Sequence, residues 1–348
     1  MAKLIRYELK KIPFVFLLFS LLIILIFKVI VTVTYCHNYN KEWRQIYSKY
    51  LAYANEYNVN DAEDKLNIIR EDFEEYSTEA EVIDTLQEQL SAREYCEVIQ
   101  KTAQKEFGFV FNMPSDFNKL RSVYASCDLP DIINVLGYRL FVKLNEINFV
   151  PIIIILAFSS IFSIESETGM QSIIRTTGVG WDKVCRGKLA LAIGINVFIF
   201  SLFYLLDLSI SSAISGFGSM NSPYRSVIST VLTNDSIGTF ITKYYIIGIL
   251  NTVFMCCIVM LFSSLSKNNR LAYAINGLTF VTFTIISTTL DKLAKAAILI
   301  TGNFMKLYNE TSLIVVSNDS LIIEQYIIIL LVYLIAIPCL IGALRRTS

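Results

Sequence analysis

An all-α, polytopic membrane protein with six transmembrane helices and a helical outer domain is the fold class this sequence predicts. Three observations carry that reading. Of 348 residues, 54% are hydrophobic and only 17% charged, with a mean hydropathy of +0.53. The apolar residues come in blocks near 20 residues rather than in periodic stripes, and at 1.5 Å per residue such a block crosses roughly 30 Å of hydrocarbon. Between the first two blocks lies a charged stretch, poor in proline and glycine, whose apolar residues recur at helical spacing.

The blocks follow in order. Residues 14–34 (FVFLLFSLLIILIFKVIVTVT) form the first, within an opening unit of residues 1–35. Lys3, Arg6, Lys10 and Lys11 precede it, as in a signal peptide, but the run is too long for a signal core and no small-x-small cleavage pattern follows. An uncleaved anchor is expected. The second to fourth blocks cover residues 147–164, 189–214 and 244–265. The fifth and sixth cover 271–290 and 321–344, and all five belong to a unit of residues 147–348. Basic residues in short connections set the orientation. Arg175, Lys183, Arg186 and Lys188 after span two, Lys267 and Arg270 in the SKNNR turn, and Arg345 and Arg346 after span six join the N-terminal group on one side. Both termini are therefore expected in the cytoplasm, and the chain in the plasma membrane.

Residues 36–146 are then outside. They hold 12 basic and 20 acidic residues, while the remainder holds 18 and 10, so a formal net charge of zero hides an acidic outer domain and a basic membrane part. Nothing in that distribution points to nucleic acid. Trp43, Ile46, Tyr47, Tyr50, Leu51 and Ala54 fall at helical spacing, and an acidic amphipathic pattern runs from Asp61 to about Phe107. Pro114-Ser115-Asp116 has the form of a further helix start. The tyrosines serve either to pack helices together or to meet a partner or substrate. Cys36, Cys96 and Cys127 permit at most one internal disulfide. In the last outer loop, residues 291–320 include the apolar piece AAILITG, too short to span and expected in the interface or partway into the membrane.

Two charges fall inside apolar blocks. Lys28 and Asp207 each lie toward the outer half of their span, and charge in hydrocarbon is shielded or used. Lys28 can snorkel outward, the two can pair, or Asp207 can line a substrate path. Asn251 and Asn276 have the character of helix-to-helix glue. No catalytic set is present: the one histidine, His37, excludes both HExxH zinc chemistry and a serine–histidine relay. GVGWDKVCRGKL is not a phosphate loop, because six residues separate Gly180 from Gly187 and Lys188 is followed by Leu189. The chain is expected to hydrolyse no ATP, to carry no metal or cofactor, and to be no enzyme.

The most informative stretch is FSIESETGMQSIIRTTGVGWDKVCRGK, from Phe162 to Lys188, a charged, glycine-punctuated segment between spans two and three. Its ESETGMQSIIRTT portion can form one short surface helix with Met170, Ile173 and Ile174 on one side, ended by Gly178 and Gly180. Glu165 and Glu167 near its start suit the helix dipole. Phe-x-x-Glu-x-x-x-Gly, then threonine, glycine and a lysine opening the next span, resembles the permease subunits of type-2 ABC exporters. The matching residues are Phe162, Glu165, Gly169, Thr176 or Thr177, Gly178 and Lys188. Where that family often has arginine after the mid-loop glycine, this chain has Val179 and Trp181 around Gly180. The amphipathic KLIRYELKKI before span one looks like the family's interfacial connecting helix, and the six-span layout and the SLSKNNR turn fit as well.

The resemblance implies a permease that pairs with a second copy or a similar subunit in membrane lipid and binds a dimer of cytoplasmic ABC ATPase subunits, which hold the ATP and Mg. Residues 165–181 would be the coupling helix. Glu165, Glu167, Gly169, Gly178 and Trp181 would shape it, and Met170, Ile173, Ile174 and Arg175 would meet the ATPase. Export of a peptide, an antimicrobial or a lipid-like molecule is implied, without choosing among them. The alternative is a membrane-anchored sensing or immunity protein whose acidic outer domain binds a peptide or partner without transport.

Overall fold

The computed structural model describes residues 14–56, 59–74, 77–104, 117–145, 149–176, 181–229, 233–289, 313–315 and 322–347. It is helical apart from one small ribbon. Five helical segments among the described residues are long and apolar enough to cross a membrane: Leu17–Asn38, Leu136–Glu167, Lys183–Ser215, Ile237–Leu265 and Ile327–Leu344. The chain is a multi-pass membrane protein.

Helix α1 (Phe14–Asn38) carries the first segment, and two residues later α2 (Lys41–Ala54) begins the helical domain expected outside. Asn40 caps α2, its side chain accepting from the Trp43 N–H at 2.8 Å, which satisfies one of the free donors at a helix start. Trp43, Tyr47, Tyr50 and Ala54 bury one face of α2. They pack on Leu66 of α3 (Val59–Glu71) and on Val82, Ile83, Leu86 and Leu90 of α4 (Thr78–Gln104). The packing role foreseen for the tyrosines thus holds for Tyr47 and Tyr50. Tyr47 stacks on Trp43 with centroids 5.1 Å apart, accepts from Gln89 at 2.8 Å and donates to the Ile133 carbonyl at 3.2 Å. Burial pushes its phenol above the ordinary range, with the Gln89 bond pulling the other way. Helix α5 (Phe117–Ser126) follows directly after the Pro-Ser-Asp foreseen as a helix start, and packs along α4.

The chain returns through α6 (Leu136–Asn145) and α7 (Val150–Phe158), both inside the second apolar segment. The short α8 (Ser163–Glu167) and α9 (Met170–Thr176) then lead to α10 (Trp181–Ser215). After α10, a loop with a 3-10 turn at Tyr224–Ser226 reaches α11 (Ile237–Leu265), capped by Ser236, whose hydroxyl accepts from the Thr239 N–H. Helix α11 is the hub, packed against α7, α10, α12 (Asn269–Thr289) and α13 (Gln325–Thr347). Ile153, Ala157, Phe200, Phe203, Met255 and Val259 lie in the main apolar core.

Helix α12 stands where the fifth span was expected but is not among the five qualifying segments. Asn269, Arg270, Asn276 and the threonines at 279, 282 and 284 dilute its hydropathy. Strands β1 (Leu313–Val315) and β2 (Ile322–Glu324) form the antiparallel ribbon. The remainder of the segment 291–320, including AAILITG, and the expected interfacial helix within residues 1–13 lie outside the described residues.

Two contacts depend on glycine. Gly216 ends α10 at φ +69°, its N–H bonded to the Ser212 carbonyl, the left-handed residue that often closes a helix. A Cβ on Gly137 would stand 1.9 Å from the Gly216 carbonyl oxygen, so the start of α6 lies directly against the end of α10. The collision is with backbone and cannot be relieved by a rotamer. Gly137→Ala is expected to cost about 1–3 kcal/mol or more, read as a lower thermal midpoint of the detergent-solubilised protein, whereas Gly194→Ala, in open space on α10, is expected to change nothing.

Candidate functional site

The charged loop is folded around a buried ion pair. Glu165 and Lys188 are 2% and 0% exposed, and the lysine Nζ sits 2.6 Å from the glutamate Oε2. The same ammonium donates to the Ile161 carbonyl at 2.6 Å and lies 4.5 Å from the centroid of the Phe162 ring. Trp181 at the start of α10 also packs on Phe162, with ring centroids 6.1 Å apart. The residues quoted above for their spacing, Phe162, Glu165 and Lys188, therefore meet in space. Burying two charges is repaid only where geometry is close and further hydrogen bonds are made, and both conditions hold here.

The single helix expected over ESETGMQSIIRTT is two helices. Thr168 closes α8 with its N–H on the Ile164 carbonyl, and Gly169, whose N–H bonds the Ser166 carbonyl, turns the chain at φ +70°, a backbone conformation nearly reserved for glycine. Gly169 thus acts as the break between α8 and α9. On α9, Ile173 is 57% exposed and Met170 is exposed beside it, while Ile174 is half-buried. Arg175 lies in the last turn of α9, and Gly178 lies outside the described residues.

The turn between α11 and α12 is stitched to this loop. The Glu167 carboxylate accepts from the Asn269 N–H at 3.1 Å, placing a negative charge at the start of α12, where the helix dipole favours it. Ser163 Oγ donates to Asn269 Oδ1 at 2.7 Å, and Ser263 Oγ accepts from the N–H groups of Phe162 and Ser163 at 3.0 and 3.2 Å. Deeper in, Asn276 donates to Ser159 Oγ at 3.1 Å, so its expected role as helix-to-helix glue is the one it plays. Ser263 and Asn269 were not foreseen as part of the site. The SLSKNNR turn that holds Asn269 and follows Ser263 carried a charge signal in the sequence, but nothing in it pointed to a contact roughly 100 residues upstream.

The α2–α5 domain stands at the other end of α10, a 35-residue helix and so roughly 50 Å long. Arg44 on α2 donates to the Ile214 carbonyl, Asn134 donates to the Ser215 carbonyl at 3.1 Å, and Ser226 Oγ accepts from the Asp131 N–H at 2.7 Å. The charged loop and the α2–α5 domain therefore occupy opposite ends of the helical bundle.

Between them lies the second buried pair. Lys28 on α1 and Asp207 on α10 are 5% and 1% exposed and 2.6 Å apart. Lys28 also donates to the Leu144 carbonyl at 3.1 Å and lies 5.8 Å from the Phe203 ring centroid. The lysine turns inward, so the outward-snorkelling alternative is not the one adopted. Asp207 Oδ1 is buried without a hydrogen-bond partner beside a cavity of about 30 Å³, lined also by Asn145, Phe149 and Tyr244. That volume holds a water or two and no substrate. Asn145 and Tyr244 went unnoticed in the sequence because a polar residue ending an apolar run looks like an ordinary boundary.

Among the described residues no three His, Cys, Asp or Glu side chains cluster as a metal site, and all seven cysteines are free thiols. No protein-family model, curated protein or solved structure matches this chain.

Proposed function

We propose that this chain is the permease subunit of an ATP-driven exporter, with six spans, cytoplasmic termini and the α2–α5 domain outside. The carrying observation is the charged loop: it is clasped internally by Glu165–Lys188, tied to α12 through Glu167–Asn269, and presents Met170 and Ile173 outward. A partner pressing on α9 would load α8 and α10 through the Glu165–Lys188 pair, and α12 through Asn269. Separate ATPase subunits would bind ATP and Mg and supply the push, and a second permease copy would complete the path. Such coupling requires two states in which these contacts differ.

Helix α12 supports a count of six spans, as the fifth of them. Leu278, Val281 and Ile285 are exposed along one face, at spacings of three and four, as on a helix bordering lipid. The cargo of such an exporter would be a peptide, an antimicrobial or a lipid-like molecule. Isolating the chain gently from its native membrane is expected to bring down a P-loop ATPase in stoichiometric amount, and the double variant Glu165→Lys, Gly169→Trp is expected to lose it. Recovery of the intact chain with no ATPase would end the proposal.

A further inference from the structure

Where the α2–α5 domain meets the loop between α10 and α11 lies a cluster that transport does not call on. Arg225, from the loop between α10 and α11, is 5% exposed, and among the described residues it makes no ion pair with a carboxylate. Its Nη2 donates to Cys96 Sγ at 3.0 Å and its Nη1 to the Asp128 carbonyl at 3.3 Å, while its Nε is buried without a partner. Cys127 precedes Asp128, and its own carbonyl accepts from Gln100 at 2.9 Å. Gln100 stands one helical turn beyond Cys96 on α4, so Cys127 lies over the face of α4 that carries Cys96. Two buried thiols from different segments thus lie about one guanidinium, which bonds Cys96 directly and the residue after Cys127 through its carbonyl, and which among the described residues pairs with no carboxylate.

We propose that Cys96 and Cys127 are a redox-active pair that a low-molecular-weight disulfide oxidises to an intramolecular disulfide, with Arg225 promoting the Cys96 thiolate. The Cys96 thiolate attacks one sulfur of the small disulfide, forming a mixed disulfide and releasing one thiolate. The Cys127 thiolate then attacks Cys96 Sγ, the second small thiolate leaves, and the Cys96–Cys127 bond forms. Two protein thiols are oxidised and one small disulfide is reduced to two thiols. The charges facing the pair are Arg225 and, beside Cys127, Asp128. Burial pushes both thiols up while Arg225 pulls them back, which makes the reaction slow at neutral pH and faster as pH rises. Once formed, the bond would pin the end of α5 to α4 beside the loop from which Arg225 reaches in, fixing how the outer domain grips α10 and α11.

The test uses the purified full chain in detergent, reduced, then exposed to oxidised glutathione and denatured for thiol counting. The expected result is a fall from seven reactive thiols to five, with a Cys96–Cys127 cross-linked peptide, and no such fall in Cys96→Ser or Cys127→Ser. Arg225→Gln is expected to slow the reaction about tenfold near pH 7, because it removes the cation that favours the Cys96 thiolate. It should converge with the parent at pH values where both thiols are fully ionised, and Arg225→Lys should restore most of the rate. A merely structural arginine would alter the rate equally at every pH. Seven thiols after exposure, a stable glutathione adduct, or pairing of Cys36 instead would overturn the proposal. None of these readouts involves an ATPase, so they stand apart from the transport reading.

Discussion

Lys188→Met is expected to be among the most damaging single substitutions in the chain. It leaves the Glu165 carboxylate, 2% exposed, without the cation 2.6 Å away, and breaking one side of a buried pair costs about 3–5 kcal/mol. The loss should appear as a large drop in thermal midpoint and as new protease cleavage between α7 and α10. Glu165→Leu combined with Lys188→Met should recover most of that stability, because apolar side chains of similar size do not carry the desolvation cost. Stability and coupling then separate: the double variant should fold while no longer driving, or being driven by, an ATPase. A single variant as stable as the parent would show that the pair contributes nothing.

The second large effect lies in the middle of the bundle. Lys28→Met strips Asp207 of its cation in a site where Oδ1 already lacks a partner, and a loss of about 3–5 kcal/mol is expected again. Asp207→Asn should be milder, since Lys28 keeps the Leu144 carbonyl and can face an amide oxygen. Lys28→Met with Asp207→Leu should restore folding. Thermal melts of the four proteins in one detergent decide the matter. Equal midpoints for Lys28→Met and Asp207→Asn would contradict the asymmetry that the Leu144 contact predicts.

Much of the architecture was legible because membrane helices announce themselves by composition. Each of the five qualifying segments overlaps a block read from the sequence, and Trp43, Tyr47, Tyr50 and Ala54 bury the face their spacing implied. The helix α12 was equally visible as an apolar block, but its asparagines and threonines leave it short of the hydropathy of the others. Within the charged loop, spacing suggested one helix, whereas Gly169 breaks it into two. A glycine in a helical pattern reads as a mild propensity penalty, and only the backbone shows that its left-handed conformation is in use. Pairings across long sequence distance were the least legible. Lys28 and Asp207 stood out as rare charges at similar depth, so their pairing was one of the alternatives in view, beside outward snorkelling of Lys28 and a place for Asp207 on a substrate path. Glu165 with Lys188, Glu167 with Asn269 and Arg225 with Cys96 left no such mark, because charged or polar residues near span ends are common and any of several partners would satisfy the pattern.

Placing a photo-crosslinking amino acid at Ile173, the most exposed large apolar residue of α9, tests the central proposal most directly. In native membranes, illumination is expected to yield one discrete adduct containing a P-loop ATPase, absent when the label is moved to the buried Phe162 and absent in the Glu165→Lys, Gly169→Trp background. No adduct at 173, with a specific adduct instead from an exposed outer-domain position such as Ile68, would contradict it and identify the α2–α5 domain as the working surface of a receptor.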